Sequence, residues 1–225
     1  MTDFALGLDV GTQGTKALVV DVERRAVVAR SSRSHGLIPD LPPGAAEQHP
    51  DTWWQAVREC TREVAARVDA RAIRSIGVSG QQHGFVALDS RRQVLRPAKL
   101  WCDTSTAAEA RELTVSLGRH VPAGFTASKI LWLKRHEPER FARLAHVLLP
   151  HDWVDLRLTG ELVMEAGDAS GTGLFDPLTR RFDSRAGFAI DERLETMLPR
   201  VARADEAIGR VTAEAARELG LPEGI

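Results

Sequence analysis

The chain has 225 residues, 43% hydrophobic and 27% charged, which excludes a disordered tail and fits a soluble globular protein of one large or two small domains. Lys and Arg number 30 against 31 Asp and Glu, a net charge of -1, so no broad basic field is present for gripping nucleic acid and no polybasic block for an anionic membrane. The 2 cysteines, Cys60 and Cys102, are too few for a disulfide framework or a zinc site and read as thiols of a reducing cytosol.

Phe4 to Leu8 is a short apolar run ending at Asp9. Gly11 to Gly14 forms a turn, Ala17 to Val20 is a second run closed by Asp21, and Ala26 to Ala29 a third. Three short runs joined by tight turns predict an antiparallel meander. Asp9 interrupts the first run early and no positive charge precedes it, so the N-terminus is not a secretory signal. No apolar stretch reaches the about 18 residues that cross a bilayer. Pro39 to Gly44 reads as a surface loop.

Trp53, Val57, Cys60, Val64 and Val68 recur at steps of three and four, which predicts one helix with Asp51 as its N-cap or first-turn acid. Ile73 to Val78 reads as a buried strand, and Phe85 to Leu88 as another. Thr126 is placed to cap a helix carrying Ile130, Leu131 and Leu133, with Trp132 in the core and Pro138 as its limit. Val147 to Leu149 is a short strand. Trp153, Leu156 and Leu158 mark a helix stopped at Gly160, and Leu194–Leu198 and Val211–Leu219 are further helices. The pattern predicts an α/β fold with helices covering a mixed sheet.

The chemistry starts at Asp9-Val10-Gly11-Thr12-Gln13-Gly14-Thr15-Lys16. A carboxylate ends a strand, and glycines, threonines and a lysine occupy the turn. Glycines let backbone amides approach phosphate oxygens, hydroxyls add donors, and Lys16 adds charge. Asp9 suits a magnesium ion, so the turn can present a magnesium nucleotide for phosphoryl transfer. An ordinary Gly-rich hairpin has the same composition, and neither the Walker phosphate loop nor the dinucleotide fingerprint is present. Ser79-Gly80-Gln81-Gln82-His83-Gly84 follows a buried strand, where open α/β sheets bind ligands, and its amide and imidazole groups suit sugar hydroxyls.

Taken with Gly124-Phe125-Thr126-Ala127-Ser128-Lys129-Ile130-Leu131-Trp132-Leu133-Lys134-Arg135-His136, these segments resemble the FGGY family of carbohydrate kinases, and its xylulokinases most closely. Leu100-Trp101-Cys102-Asp103, Leu148-Leu149-Pro150-His151-Asp152-Trp153 and Asp168-Ala169-Ser170-Gly171-Thr172 resemble further family runs, in order, from Leu6 to about Leu221. Two departures stand out: Gln82 where Met is frequent, and Cys102 where Asn is usual.

The resemblance implies a ribonuclease-H-like fold, shared with actin and heat-shock chaperones, in which residues 1–225 form the N-terminal, sugar-side lobe. It implies use of ATP and Mg2+ to convert D-xylulose to D-xylulose 5-phosphate in the cytoplasm, with no nucleic acid or membrane partner, and association as a homodimer. By position, Asp9 would organise magnesium, and Gly11, Thr12, Gln13, Gly14, Thr15 and Lys16 would meet the phosphates. Gln82 and His83 would contact the sugar, and Trp101 and Asp103 would bind it or support its pocket. The family's general base, in a Gly-Gly-Gly-Asp-Asn run, and its nucleotide-binding lobe are expected beyond Ile225, so the chain alone is expected to be inactive. Three alternatives remain open here: another pentulose or polyol kinase, a non-catalytic sugar-binding lobe, and a filament or chaperone relative that shares only the Asp9 turn. Lys134, Arg135 and Arg140 read as a solvated helix face rather than a nucleic-acid patch.

Overall fold

Side chains of Phe4–Val10 (β1) alternate between faces, and Leu6, Leu8 and Val10 make a single buried row. Gly14–Asp21 (β2) buries Thr15, Ala17, Val19 and Asp21 by the same alternation, while Ala26–Ser34 (β3) buries only Ala29. A computed structural model describes residues 3–225 of the chain. The two-residue strand Glu47–Gln48 (β4) leads into helix Pro50–Ala65 (α1), whose Trp53, Val57, Cys60 and Val64 are fully buried. That stripe lies on β2 and β3, and Trp53 meets Trp153 edge-on with ring centres 6.1 Å apart. Asp51 sits in the first turn of α1 and His49 is the N-cap; Val68 lies beyond the helix end, half-buried against the same core.

Ile73–Gly80 (β5) returns parallel to β1 and completes a four-stranded mixed sheet of order β3-β2-β1-β5. The antiparallel meander and the mixed sheet of the ribonuclease-H-like class are both present. Among the described residues no strand pairs with the outer edge of β5. Val86–Leu88 (β6), which leaves Phe85 just outside, pairs with His146–Leu148 (β8), and Ala98–Lys99 (β7) pairs with β4.

A second core gathers Phe85, Leu113, Ile130, Leu133 and Phe141 from Ala107–Leu117 (α2), Thr126–His136 (α3) and Pro138–Arg143 (α4). Thr126 is the first residue of α3 rather than its cap, because its hydroxyl is drawn to the carbonyls of His83 and Gly84. Trp132 lies at the core margin, only half-buried, with Lys99 Nζ 4.0 Å from its ring centre. Pro150–Thr159 (α5) ends at Gly160, whose φ of 78° closes the helix in the left-handed region. No helix among the described residues is long and apolar enough to cross a membrane.

Candidate active site

Because β1 and β5 are parallel, with Asp9 beside Ser79 and Val10 beside Gly80, the segments leaving their C-terminal ends emerge as neighbours. The Gly11 N–H donates to Gly14 O at 3.0 Å and closes a tight turn. Gly14 must be glycine, since a Cβ there would stand 2.7 Å from Arg33 O on β3. Asp9 and Lys16 face each other across the β1–β2 ladder at 3.7 Å, and both are more than half exposed. Among the described residues the amides of Thr12 and Gln13 have no protein acceptor, so both remain free for an anion.

The hydroxyls of this turn are not free in the same way. Thr15 is fully buried, its Oγ1 3.1 Å from His35 Nε2, which removes it from any cleft. Thr12 Oγ1 donates to Gln81 Oε1 at 3.0 Å, so its proton is already committed. A phosphate cradle at this turn would rest on main-chain amides and Lys16, without the expected threonine hydroxyls.

The loop after β5 presents Gln82 and His83. Gln82 Nε2 donates to Asp168 Oδ1 at 3.1 Å. His83 takes φ of 61°, in the left-handed region that few non-glycine residues adopt, and packs on Phe125 with ring centres 4.9 Å apart. The close approach of Gly171 permits this: a Cβ there would fall 1.8 Å from His83 Nδ1. Among the described residues buried Nδ1 finds no hydrogen-bond partner. Burial, then the charge of Lys129, lowers the His83 pKa, which keeps the ring neutral near pH 7.

Trp101 is 50% exposed beside the Asp9 turn, its Nε1 donating to Thr12 Oγ1 at 2.9 Å. Asp103 does not reach the surface. It is fully buried and accepts from Ala46 N, Lys99 Nζ, Ser105 N and Ser105 Oγ, which leaves no face for a sugar. Its position is that of a support beneath the segment carrying Trp101.

Two groups went unassigned in the sequence reading. His151, at the start of α5, lies 3.4 Å from Asp152, 3.3 Å from Asp155 and 3.5 Å from Asp168. Burial alone would lower its pKa, but the hydrogen bond to Asp152 and the charges of Asp155, Asp152 and Asp168 raise it to about 9. Burial raises Asp155 to about 7 and Asp152 to about 6. The cluster borders a groove of about 730 Å³ along β5, lined by Gly80, Gln82, His151, Asp155, Asp168 and Ile225 among others. The second group is Lys129, fully buried, whose Nζ donates to the carbonyls of Ala123, Gly124 and Phe125 and fixes the loop beneath His83; burial lowers its pKa to about 7. His151, Asp152 and Asp168 belong to the motif runs, but their convergence comes from tertiary structure, which no spacing in the chain reveals.

Among the described residues no group of three or more His, Cys, Asp or Glu converges on a metal position. Asp9 is a lone exposed carboxylate, which fits magnesium arriving with nucleotide phosphates and keeping its own waters, not a resident all-protein cage.

The sequence profile of the N-terminal domain of the FGGY family of carbohydrate kinases matches residues 4–225. A xylulose kinase of Haemophilus influenzae is 34% identical over 98% of this chain and 48% of its own length. A xylulose kinase of Streptomyces coelicolor is 40% identical over 92% of this chain and 44% of its own. The crystal structure of a kinase from Brucella ovis, described as a xyloylose kinase, superposes with a TM-score of 0.89 at 35% identity, covering 98% of this chain and 47% of that one. The chain spans about half the length of the curated relatives it matches. It belongs to the FGGY family of carbohydrate kinases.

Proposed function

We propose that residues 1–225 are the sugar-side lobe of an ATP-dependent kinase that converts D-xylulose to D-xylulose 5-phosphate. The observation that carries this reading is the emergence of the Asp9 turn and the Gln82–His83 loop side by side from parallel β1 and β5. The relatives named xylulose kinase support the choice of sugar.

Magnesium-ATP supplies the phosphoryl group and neutralises part of its charge. The residues of this chain prepare its arrival. The free amides of Thr12 and Gln13 and the charge of Lys16 would hold the phosphates, and the exposed carboxylate of Asp9 would hold the magnesium ion that comes with them. On the sugar side, neutral His83 offers the half-exposed part of its imidazole, Gln82 is oriented by Asp168, and the exposed face of Trp101 covers the apolar side of the sugar. Asp103 and Lys129 hold the segments that carry these groups.

Titration of the chain with D-xylulose, D-ribulose and glycerol, read from the tryptophan indole NMR signals, tests the reading. D-xylulose is expected to move the Trp101 signal saturably and at the lowest concentration. Preference for D-ribulose or glycerol overturns the choice of substrate, and no saturable response to any of them overturns the sugar site.

A further inference from the structure

Gln48 on β4 is 1% exposed and sits in the middle of a hydrogen-bonded chain that runs between two tryptophans. The ends fix the direction of each bond, because an indole N–H only donates. Trp53 Nε1 donates to Gln48 Oε1 at 2.8 Å. Gln48 Nε2 therefore points the other way, donating to Thr12 O at 2.7 Å and Gly36 O at 3.1 Å. Gln81 Nε2 donates to the same Gln48 Oε1 at 3.0 Å, which leaves Gln81 Oε1 to accept from Thr12 Oγ1 at 3.0 Å. Thr12 Oγ1 in turn accepts from Trp101 Nε1 at 2.9 Å.

Gln48 thus grips the Thr12 turn twice, directly at its carbonyl and through Gln81 at its hydroxyl. Of the groups in this hydrogen-bonded chain, Trp53, Gln48 and Gln81 are buried and only Thr12 and Trp101 reach the surface. A buried network with every member satisfied rigidifies what it holds, and removal of its centre orphans several partners at once.

We infer that Gln48 is a positioning residue that locks the Thr12 turn, Gln81 and the Trp101 ring into one unit. The phosphate-facing turn and the sugar-facing indole then keep a fixed relation to each other. The lock is a property of the unliganded chain; its consequence for sugar binding rests on the proposed kinase reading.

Gln48→Glu tests the lock with almost no change of shape. A carboxylate still accepts from Trp53 and Gln81, but it faces Thr12 O and Gly36 O with an acceptor in place of a donor. In the unliganded chain, the indole signals of Trp53 and Trp101 are expected to move together while that of Trp132, remote from Gln48, stays. Thr12→Val, on a half-exposed turn, is expected to move Trp101 in a chain that remains folded. A Trp101 signal that stays put in either variant while the fold is intact overturns the lock. Sugar affinity is read separately: Gln48→Glu is expected to raise the Kd for D-xylulose about tenfold. Unchanged affinity beside a displaced Trp101 signal overturns the positioning role, whereas absence of sugar binding in the unaltered chain refutes the kinase reading and leaves the indole result standing.

Discussion

Gly171→Ala separates the fold from the proposed sugar contact. The new Cβ would lie 1.8 Å from Nδ1 and 1.9 Å from Cε1 of His83. Carbon contacts are comfortable from about 3.5 Å, so the imidazole must retreat by roughly 1.5–2 Å. Retreat sacrifices the ring contact with Phe125, worth about 0.5–1.5 kcal/mol. It also frees buried, unpartnered Nδ1 to reach water, which recovers about 1–3 kcal/mol. These terms oppose each other and are similar in size, so the Tm is expected to change by no more than about 4 °C. Sugar binding has no such compensation. Withdrawal of the ring leaves a sugar hydroxyl unpaired and weakens D-xylulose binding by about 1–3 kcal/mol, roughly 5- to 150-fold in Kd. Isothermal titration calorimetry gives the affinity and differential scanning calorimetry the Tm, with His83→Ala as the matching loss of the ring. Sugar affinity retained in both variants would refute the role given to His83.

Three further outcomes are expected. The chain alone releases negligible ADP in a coupled assay with ATP and D-xylulose, because in-line transfer needs a positioned base and the carboxylates nearest the sugar loop, Asp155 and Asp168, are engaged with His151; turnover of about 1 s⁻¹ or faster refutes this. The His151 ring, followed by its NMR titration, titrates near 9 against an ordinary 6.5, so its contribution to stability is complete below about 6.5 and lost as the pH rises through about 9; Asp155→Asn moves that loss to lower pH, and an unmoved pKa counts against the ion pair. Lys129→Met orphans three carbonyls and costs about 1–3 kcal/mol in urea unfolding. Because the Lys129 pKa falls from 10.5 to about 7 on folding, the unfolded chain binds more protons above pH 7, and the deficit of Lys129→Met is expected to grow between about pH 7 and about pH 10; a deficit that shrinks with pH refutes the burial argument.

Elements whose signal is local were legible in the chain. The alternation of Leu6, Leu8 and Val10, the α1 stripe from Trp53 to Val64 and the stop at Gly160 follow from period and propensity. Helix α2 went unread because its buried residues, Glu109, Ala110, Leu113 and Leu117, form a thin stripe that includes a charge. Asp9, Gln82, His83 and Trp101 were identified by motif, and the structure brings them to one end of the sheet. Thr15 and Asp103 carry the same motif signal, yet their side chains point inward, because strand phase and loop packing decide which polar group reaches solvent. Gln48 and His151 have near partners, Trp53 for the one and Asp152 and Asp155 for the other, but the networks they centre close through residues distant in sequence, Gln81 and Asp168 among them.

The outer edge of β5 has a bearing on how the protein behaves in concentrated solution. Ile73–Gly80 offers a row of backbone donors and acceptors to the groove; Arg74 is its sole charge, it has no proline, and its one irregularity against β1 lies at the Ile73 end, which leaves Ser75–Gly80 in unbroken register. Natural sheets guard such rows with lysine, proline, twist or a covering element, since an unguarded row recruits any extended chain that comes near. Pairing there needs no side-chain complementarity, so the strand that completes this sheet decides whether the molecule stays dispersed or nucleates sheet-to-sheet association.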